Sequence, residues 1–244
     1  MLIELLQLWK ILTEGIFYYL PIHLILFVIL PLILREVYSR NYKEYSSLKM
    51  EDVKISVVVP EYGEDTGVFK KCLESISDNK VDEIIVVHDD CRNEIAELAK
   101  QYGAQVYSFS KRVGKRRALV EGWRLAKGDI IIHVDSDCIL EKNAVNEIIK
   151  PFDDEQVVGV QGKSRPFQTG SWFAWRLSQV IEYNRDVNNK ALNGHLVVVD
   201  GRFNAWKRFF LLSYVDDFLN ERFLGNICEQ VVLLPKVEVL KLLE

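Results

Sequence analysis

Asp135 and Asp137 stand two residues apart at the end of the run DIIIHVD. On an extended backbone, residues i and i+2 project to one side, so this spacing brings two carboxylates together. Hard oxygen donors of this kind suit Mg2+ or Mn2+, ions that commonly bridge to a substrate's phosphates. An Asp pair alone also reads as a solvated turn; its place at the end of an apolar run favours the ligand reading. A second group carries the opposite charge. Lys111-Arg112-Val113-Gly114-Lys115-Arg116-Arg117 packs five basic residues into seven, where a loop enters a helix. The first N–H groups of that helix lack intrahelical acceptors, and its dipole is positive there. A diphosphate fits such a place, and a solvated basic face is the plainer alternative. Acidic metal ligands with a basic loop describe a nucleoside-diphosphate site better than either does alone.

Such residues need a scaffold. Short β-branched runs at 55–60, 83–88, 105–109, 129–135 and 157–162 predict strands. Helices are expected over 66–77, 93–102, 115–126 and 142–152. Strands apolar on both faces, separated by single helices, imply an α/β protein: a mostly parallel sheet with helices on both faces. Ligands of open sheets bind beyond the carboxyl ends of the strands. That rule selects Tyr62-Gly63-Glu64, His88-Asp89-Asp90 and Asp135-Ser136-Asp137. No GxGxxG and no GxxxxGK[ST] occurs, which removes support for dinucleotide and P-loop readings.

Composition excludes several classes. Over 244 residues, 31 Lys and Arg against 35 Asp and Glu give a net charge of −4, so no nucleic-acid partner is expected. A hydrophobic share of 49% excludes bulk disorder. Cys72, Cys91, Cys138 and Cys228 form no CxxC pair, against a zinc ribbon and in favour of reduced cytosolic thiols. Residues 15–34 contain no Asp, Glu, Lys or Arg, long enough for one membrane span. Arg35, Arg40, Lys43, Lys49 and Lys54 follow it and only Lys10 precedes it. The expectation is a single-pass membrane protein, in contact with lipid, whose soluble domain faces the cytoplasm. Glu4, Gln7, Lys10 and Glu14 make a thin polar stripe, read either as an interfacial helix or as a helix packed on the soluble domain. The expected division is 1–50 for the membrane part and connector, 51–228 for the α/β domain and 229–244 for a divergent tail.

VVVPEYGED resembles the PxYxED opening of family 2 glycosyltransferases, which have the GT-A fold. EIIVVHDDC is similar to their acidic second-strand end, VGKRRALVEGW to their GKxxAL helix and VDSD to their DxD. VVVDGRFNAWKR resembles the SGPLGxYR segment of hyaluronan synthases, and DDFLNERFLGNIC the stretch before their GDDR motif. The ordered set spans 55–228 and points to the processive hyaluronan-, chitin- and cellulose-synthase type. The resemblance implies transfer of a sugar with inversion, from a UDP-sugar to a saccharide or lipid-linked acceptor, with Mg2+ or Mn2+ as cofactor. It implies that Pro60, Tyr62, Glu64, His88 or Asp89, Lys115, Arg117, Asp135 and Gly201 bind the nucleotide sugar. Tyr62 would stack on the uracil, Lys115 would meet the diphosphate with Arg117 as backup, and Asp135 and Asp137 would hold the metal. Asp200 and Arg202 would lie near donor or acceptor. After Cys228 the chain reads EQVVLLPKVEVLKLLE, without GDDR or QxxRW. Glu229 is then the one carboxylate near the expected general base, and a partner subunit could complete the site. Two other readings remain open: a UDP-sugar-binding or assembly module lacking the base, and a polyprenyl-phosphate sugar transferase.

Overall fold

The computed structural model describes residues 7, 9–10, 22–42, 53–89, 93–167, 170–192, 201–220 and 231–241. Of the stripe at 1–14, Gln7, Trp9 and Lys10 are described, and all three are helical. Of the apolar run 15–34, residues 15–21 lie outside the described residues. From Ile22 the chain is helical to Ser39, with every residue of that window outside the protein core. Its middle is π-helical, Ile25–Ile29, and its end is α1, Leu30–Ser39. Pro31 explains the change of pitch. A proline ring clashes with the carbonyl four residues back and offers no N–H. The Leu30 N–H instead reaches the Ile25 carbonyl five residues back, a single-turn widening that keeps the helix continuous.

The soluble domain follows the alternation of its sequence. Its elements are β1 (Ile55–Glu61), α2 (Thr66–Asp78), β2 (Glu83–His88), α3 (Asn93–Gln101), β3 (Gln105–Ser108), α4 (Lys115–Leu125), β4 (Ile130–Val134), β5 (Cys138–Leu140), α5 (Ala144–Ile149), β6 (Gly159–Pro166), α6 (Trp172–Ala191), β7 (Phe203–Lys207), α7 (Arg208–Ser213), α8 (Val215–Leu219) and β8 (Val231–Lys241). All expected strands and helices form. The helix expected over 142–152 divides into α5 and a 3-10 turn at Lys150–Asp153, where Pro151 withholds an amide. The elements β5, α6, β7, α7, α8 and β8 are additional. Val231–Lys241, read from sequence as tail, runs in the sheet as β8.

The described strands form one sheet in the order β3-β2-β1-β4-β7-β6-β8-β5. Neighbours β3, β2, β1 and β4 are parallel, whereas β7 runs antiparallel to both β4 and β6. Successive residues of each central strand feed opposite cores. Val57, Val59, Ile130 and Ile132 pack with α2, α3 and α5, through Phe69, Ile95 and Ile148. Val58, Val87 and Ile131 pack with α4, α7 and α8, through Trp123, Phe210 and Val215. The fold class is therefore the one expected, a mostly parallel sheet covered on both faces.

Between β1 and α2 the chain must turn and start a helix. Asp65 has an extended backbone and accepts hydrogen bonds from the Gly67 and Val68 N–H groups at 2.8 and 3.0 Å. It is the N-cap of α2, satisfying two amides that the helix cannot. Asp65→Ala should cost about 0.5–2 kcal/mol of stability, read as a lower urea midpoint.

Candidate active site

The carboxyl edge of β1, β2 and β4 collects the polar residues. Pro60, Glu61, Tyr62 and Glu64 follow or end β1, Asp89 follows β2, and Asp135, Ser136 and Asp137 follow β4. With Arg112, Gly114 and Lys115 they line one cavity of about 260 Å3. Seven expected site residues thus meet in one place: Pro60, Tyr62, Glu64, Asp89, Lys115, Asp135 and Asp137. A larger groove, about 460 Å3, lies at the opposite edge around Lys54, Glu83, Gln105 and Lys127. Its central carboxylate is already occupied: Glu83 accepts from the Ser56 hydroxyl and the Lys127 N–H. Open sheets bind ligands at the carboxyl edge, so the smaller cavity is the site.

Each member is held by a stated contact. The Asp89 carboxylate accepts the Val113 and Gly114 N–H groups, both at 2.7 Å, which fastens the basic loop to the end of β2. Gly114 then enters α4 at φ +87°, a region that L side chains avoid. No side chain caps α4, and Gly114 and Lys115 at its start line the cavity. Lys115 Nζ donates to Asp135 Oδ1 at 2.5 Å. The Arg112 guanidinium lies 3.9 Å from the centre of the exposed Tyr62 ring, a cation–π stack at the cavity mouth. Arg112 belongs to the basic run of the sequence, but only the fold reveals its pairing with Tyr62. The Glu64 carboxylate accepts from the Ser136 hydroxyl at 3.2 Å. Gly201 stands at the rim, where an added Cβ would come 3.7 Å from Lys115 Nζ.

The two aspartates are joined by a turn rather than by extended spacing. Strand β4 ends at Val134, and the Cys138 N–H donates to the Asp135 carbonyl. Both nevertheless line the cavity. His88 is corrected from base contact to support. It is 1% exposed, its Nδ1 meets Glu61 Oε2, and it does not line the cavity. The reason is register: Glu61↔His88 is the last rung between β1 and β2, so Asp89 is the first residue beyond the sheet. Arg117 is exposed on α4 and also does not line the cavity. Arg202 pairs with Glu182 at 2.7 Å instead of standing as a solvated arginine. Asp200 and Glu229 lie outside the described residues.

Two buried groups behind the edge are chemically silent. Burial, reinforced by Asp137 and Asp135, pushes the Cys72 thiol up, so it stays protonated and is no nucleophile. Burial, with the Lys115 charge, pushes the His133 imidazole down to about 3, against the opposing hydrogen bond with the Asn204 side chain. His133 is therefore neutral, accepting from Trp123 Nε1.

The donor set fits a divalent ion held jointly with a substrate. Among the described residues no three His, Cys, Asp or Glu gather as a metal cluster. Asp135 and Asp137 supply two hard carboxylates beside a cationic loop, and Mg2+-type sites often use one or two carboxylates plus substrate phosphates.

An α/β sheet of this order, with acids and a cationic loop at its carboxyl edge, has the GT-A type of fold. Residues 56–214 match the glycosyl transferase family 2 domain, and the chain belongs to that family. Hyaluronan synthase of Streptococcus pyogenes is 26% identical over 192 residues, 72% of this chain and 46% of that enzyme. The chain thus spans about half the length of such relatives. Among solved structures, a mannosyltransferase of Pyrobaculum calidifontis, in complex with GDP-Man and Mn2+, superposes with a TM-score of 0.65 at 19% identity. That match covers 86% of this chain and 64% of the other. Glucosyl-3-phosphoglycerate synthase of Mycobacterium tuberculosis, with Mn2+ and UDP, gives 0.52 at 20% identity, covering 85% and 73%.

The Asp89 tether yields a direct test. A hydrogen bond to a charged group contributes about 1.5–3 kcal/mol, and Asp89→Ala removes two. Tryptic cleavage after Lys111 or Arg112 should accelerate at least about tenfold, the equivalent of one such bond. An unchanged cleavage rate, followed on gels, would show that Asp89 does not hold the loop.

Proposed function

We propose that this chain is a membrane-attached glycosyltransferase of polysaccharide-synthase type, which transfers a sugar from a UDP-sugar with inversion and requires a divalent cation. The observation that carries the reading is the convergence of Tyr62, Asp89, Lys115, Asp135 and Asp137 in one cavity at the carboxyl edge. The exposed Tyr62 ring offers a stacking face for the base. Lys115 and the uncapped amides of α4 face the diphosphate, the second with the positive end of the helix dipole. Without ligand, Lys115 and Asp135 neutralise one another. With a donor bound, Lys115 would pair with the diphosphate, and Asp135 and Asp137 would be the carboxylates that hold the cation. Mg2+ or Mn2+ would supply charge neutralisation for the departing diphosphate. Inversion follows when an acceptor hydroxyl, of a saccharide or a lipid-linked sugar, attacks the anomeric carbon from the side opposite the diphosphate. The hyaluronan synthase relative and the Mn2+-bound nucleotide complexes of the structural neighbours support this reading.

The anchor is the helix Ile22–Ser39, with mean hydropathy 1.8. At 1.5 Å per residue it is about 27 Å long, close to the hydrocarbon thickness of a bilayer. The excess of basic residues from Arg35 to Lys54 supports a cytoplasmic transferase domain.

Calorimetry of UDP with Mn2+ tests the site. Asp137→Ala should weaken metal-dependent UDP binding at least about tenfold, or 1.4 kcal/mol, with the melting curve preserved. Equal affinity in variant and parent removes Asp137 from the metal site. Carbonate washing of membranes tests the anchor: the full chain should stay in the pellet, and its release into the supernatant would refute a spanning helix.

A further inference from the structure

Helix α6 has two faces with different fates. Glu182, Asp186 and Asn189 meet the sheet: Asp186 pairs with Lys163 of β6, Glu182 with Arg202, and Asn189 is buried. The opposite face runs through Phe173, Leu177, Val180, Ile181, Asn184 and Asn188, at intervals of three and four residues. Its carboxyl half is covered by α1. Arg35 donates to Asn184 at 2.9 Å and to Asn188 at 3.0 Å, and the Tyr183 hydroxyl donates to Glu36 at 3.1 Å. Its amino half is covered by nothing among the described residues. Phe173 is 70% exposed, Val180 54% and Ile181 51%. Trp172 stands beside them, with Arg176 within cation–π reach of Trp172 and Trp175.

The depth of this face is set by the helix it touches. Asn184 and Asn188 hold Arg35, one of the basic residues that end the apolar helix. The apolar amino half of the same face continues from that contact. A helix with an apolar face, interfacial Trp and a flanking Arg is the composition that lies in the headgroup–acyl boundary. We propose that the Phe173–Ile181 face of α6 is a second membrane contact, seated in the cytoplasmic boundary of the bilayer that holds α1. The proposal rests on the membrane-anchor reading above.

The test uses the full chain in phosphatidylcholine–phosphatidylglycerol vesicles. Nitroxides are attached at Leu177→Cys and Ile181→Cys, with Arg124→Cys on α4 as the water-exposed control. Signals are compared with the chain carrying only its own cysteines. Oxygen collisions should exceed those with a water-soluble nickel complex at 177 and 181, and the order should reverse at 124. Labels at 177 and 181 open to nickel would overturn the membrane contact. Labels closed to both reagents would also overturn it, in favour of a protein covering such as a second copy. Flotation separates the two readings: a chain that does not float loses the anchor and the contact together, whereas a floating chain with nickel-accessible labels loses the contact alone. Because the labels replace face residues, a second measurement leaves that face intact. Lipids brominated near the headgroup should quench the parent's tryptophan emission more than that of Trp172→Phe. Equal quenching of the two would overturn the contact.

Discussion

Five carboxylates, Glu61, Glu64, Asp89, Asp135 and Asp137, converge on one small cavity. Like charges 4 Å apart repel by about 4 kcal/mol at an effective dielectric near 20. A fold that gathers such a set must give each member a partner, and the rest of the edge is arranged around that need. Glu61 has His88 and the Glu64 N–H. Asp89 has two amides of the basic loop, and Asp135 has Lys115. The course of residues 111–115 follows from these bonds, because the loop can reach both Asp89 and Asp135 only by turning at Gly114. On the proposed reading, a domain charged in this way would exchange these internal partners for those of the cation and diphosphate.

Behind the edge lies the opposite solution, a polar network with no net charge. Trp123 donates to His133, His133 pairs in register with Asn204 across β4 and β7, and Trp206 donates to Asn204. All four are buried. A neutral imidazole can sit there because the network satisfies it, whereas a charged one would need solvent. The network ties α4, β4 and β7 together behind Lys115, Asp135 and Gly201, so the three chain segments that meet at the site share one base.

Much of this was legible in the sequence because buried strands leave a plain signal. ISVVVP, EIIVVH and IIIHV are apolar on both faces, and the residues after them had to fall at the sheet edge. What failed was register by one residue. HDD offers three polar candidates, and only pairing with β1 decides that His88 is the last rung and Asp89 the first residue outside. Helix α6 left no clean period for a related reason. It is covered on one side by the sheet and in part on the other by α1, so WFAWRLSQVIEYNRDVNNKA shows apolar residues around most of its circumference. The Arg112–Tyr62 stack was invisible because the two residues are joined by no spacing rule, only by the loop that Asp89 ties down. Asp65 illustrates the converse: its place in the PxYxED-like motif suggests chemistry, yet it does the work of a helix cap.

Helix α6 also decides where the site stands relative to the apolar helix. On one face Arg35 holds Asn184 and Asn188. On the other Glu182 holds Arg202, and the Arg202 carbonyl accepts the Asp135 N–H. Two side-chain contacts and one backbone bond therefore separate the end of the apolar helix from the first acid of the pair. None of these contacts needs to transmit a conformational change to matter. Their effect is positional: the cavity cannot drift from the apolar helix without breaking a part-buried ion pair or the paired asparagine contacts. In the proposed transferase, a lipid-linked acceptor would then meet the donor pocket at a fixed distance. Orienting two reactants in advance removes much of the entropy that their encounter would otherwise cost. The Glu182–Arg202 pair supplies a directional bond at the point where α6 meets the edge of the site.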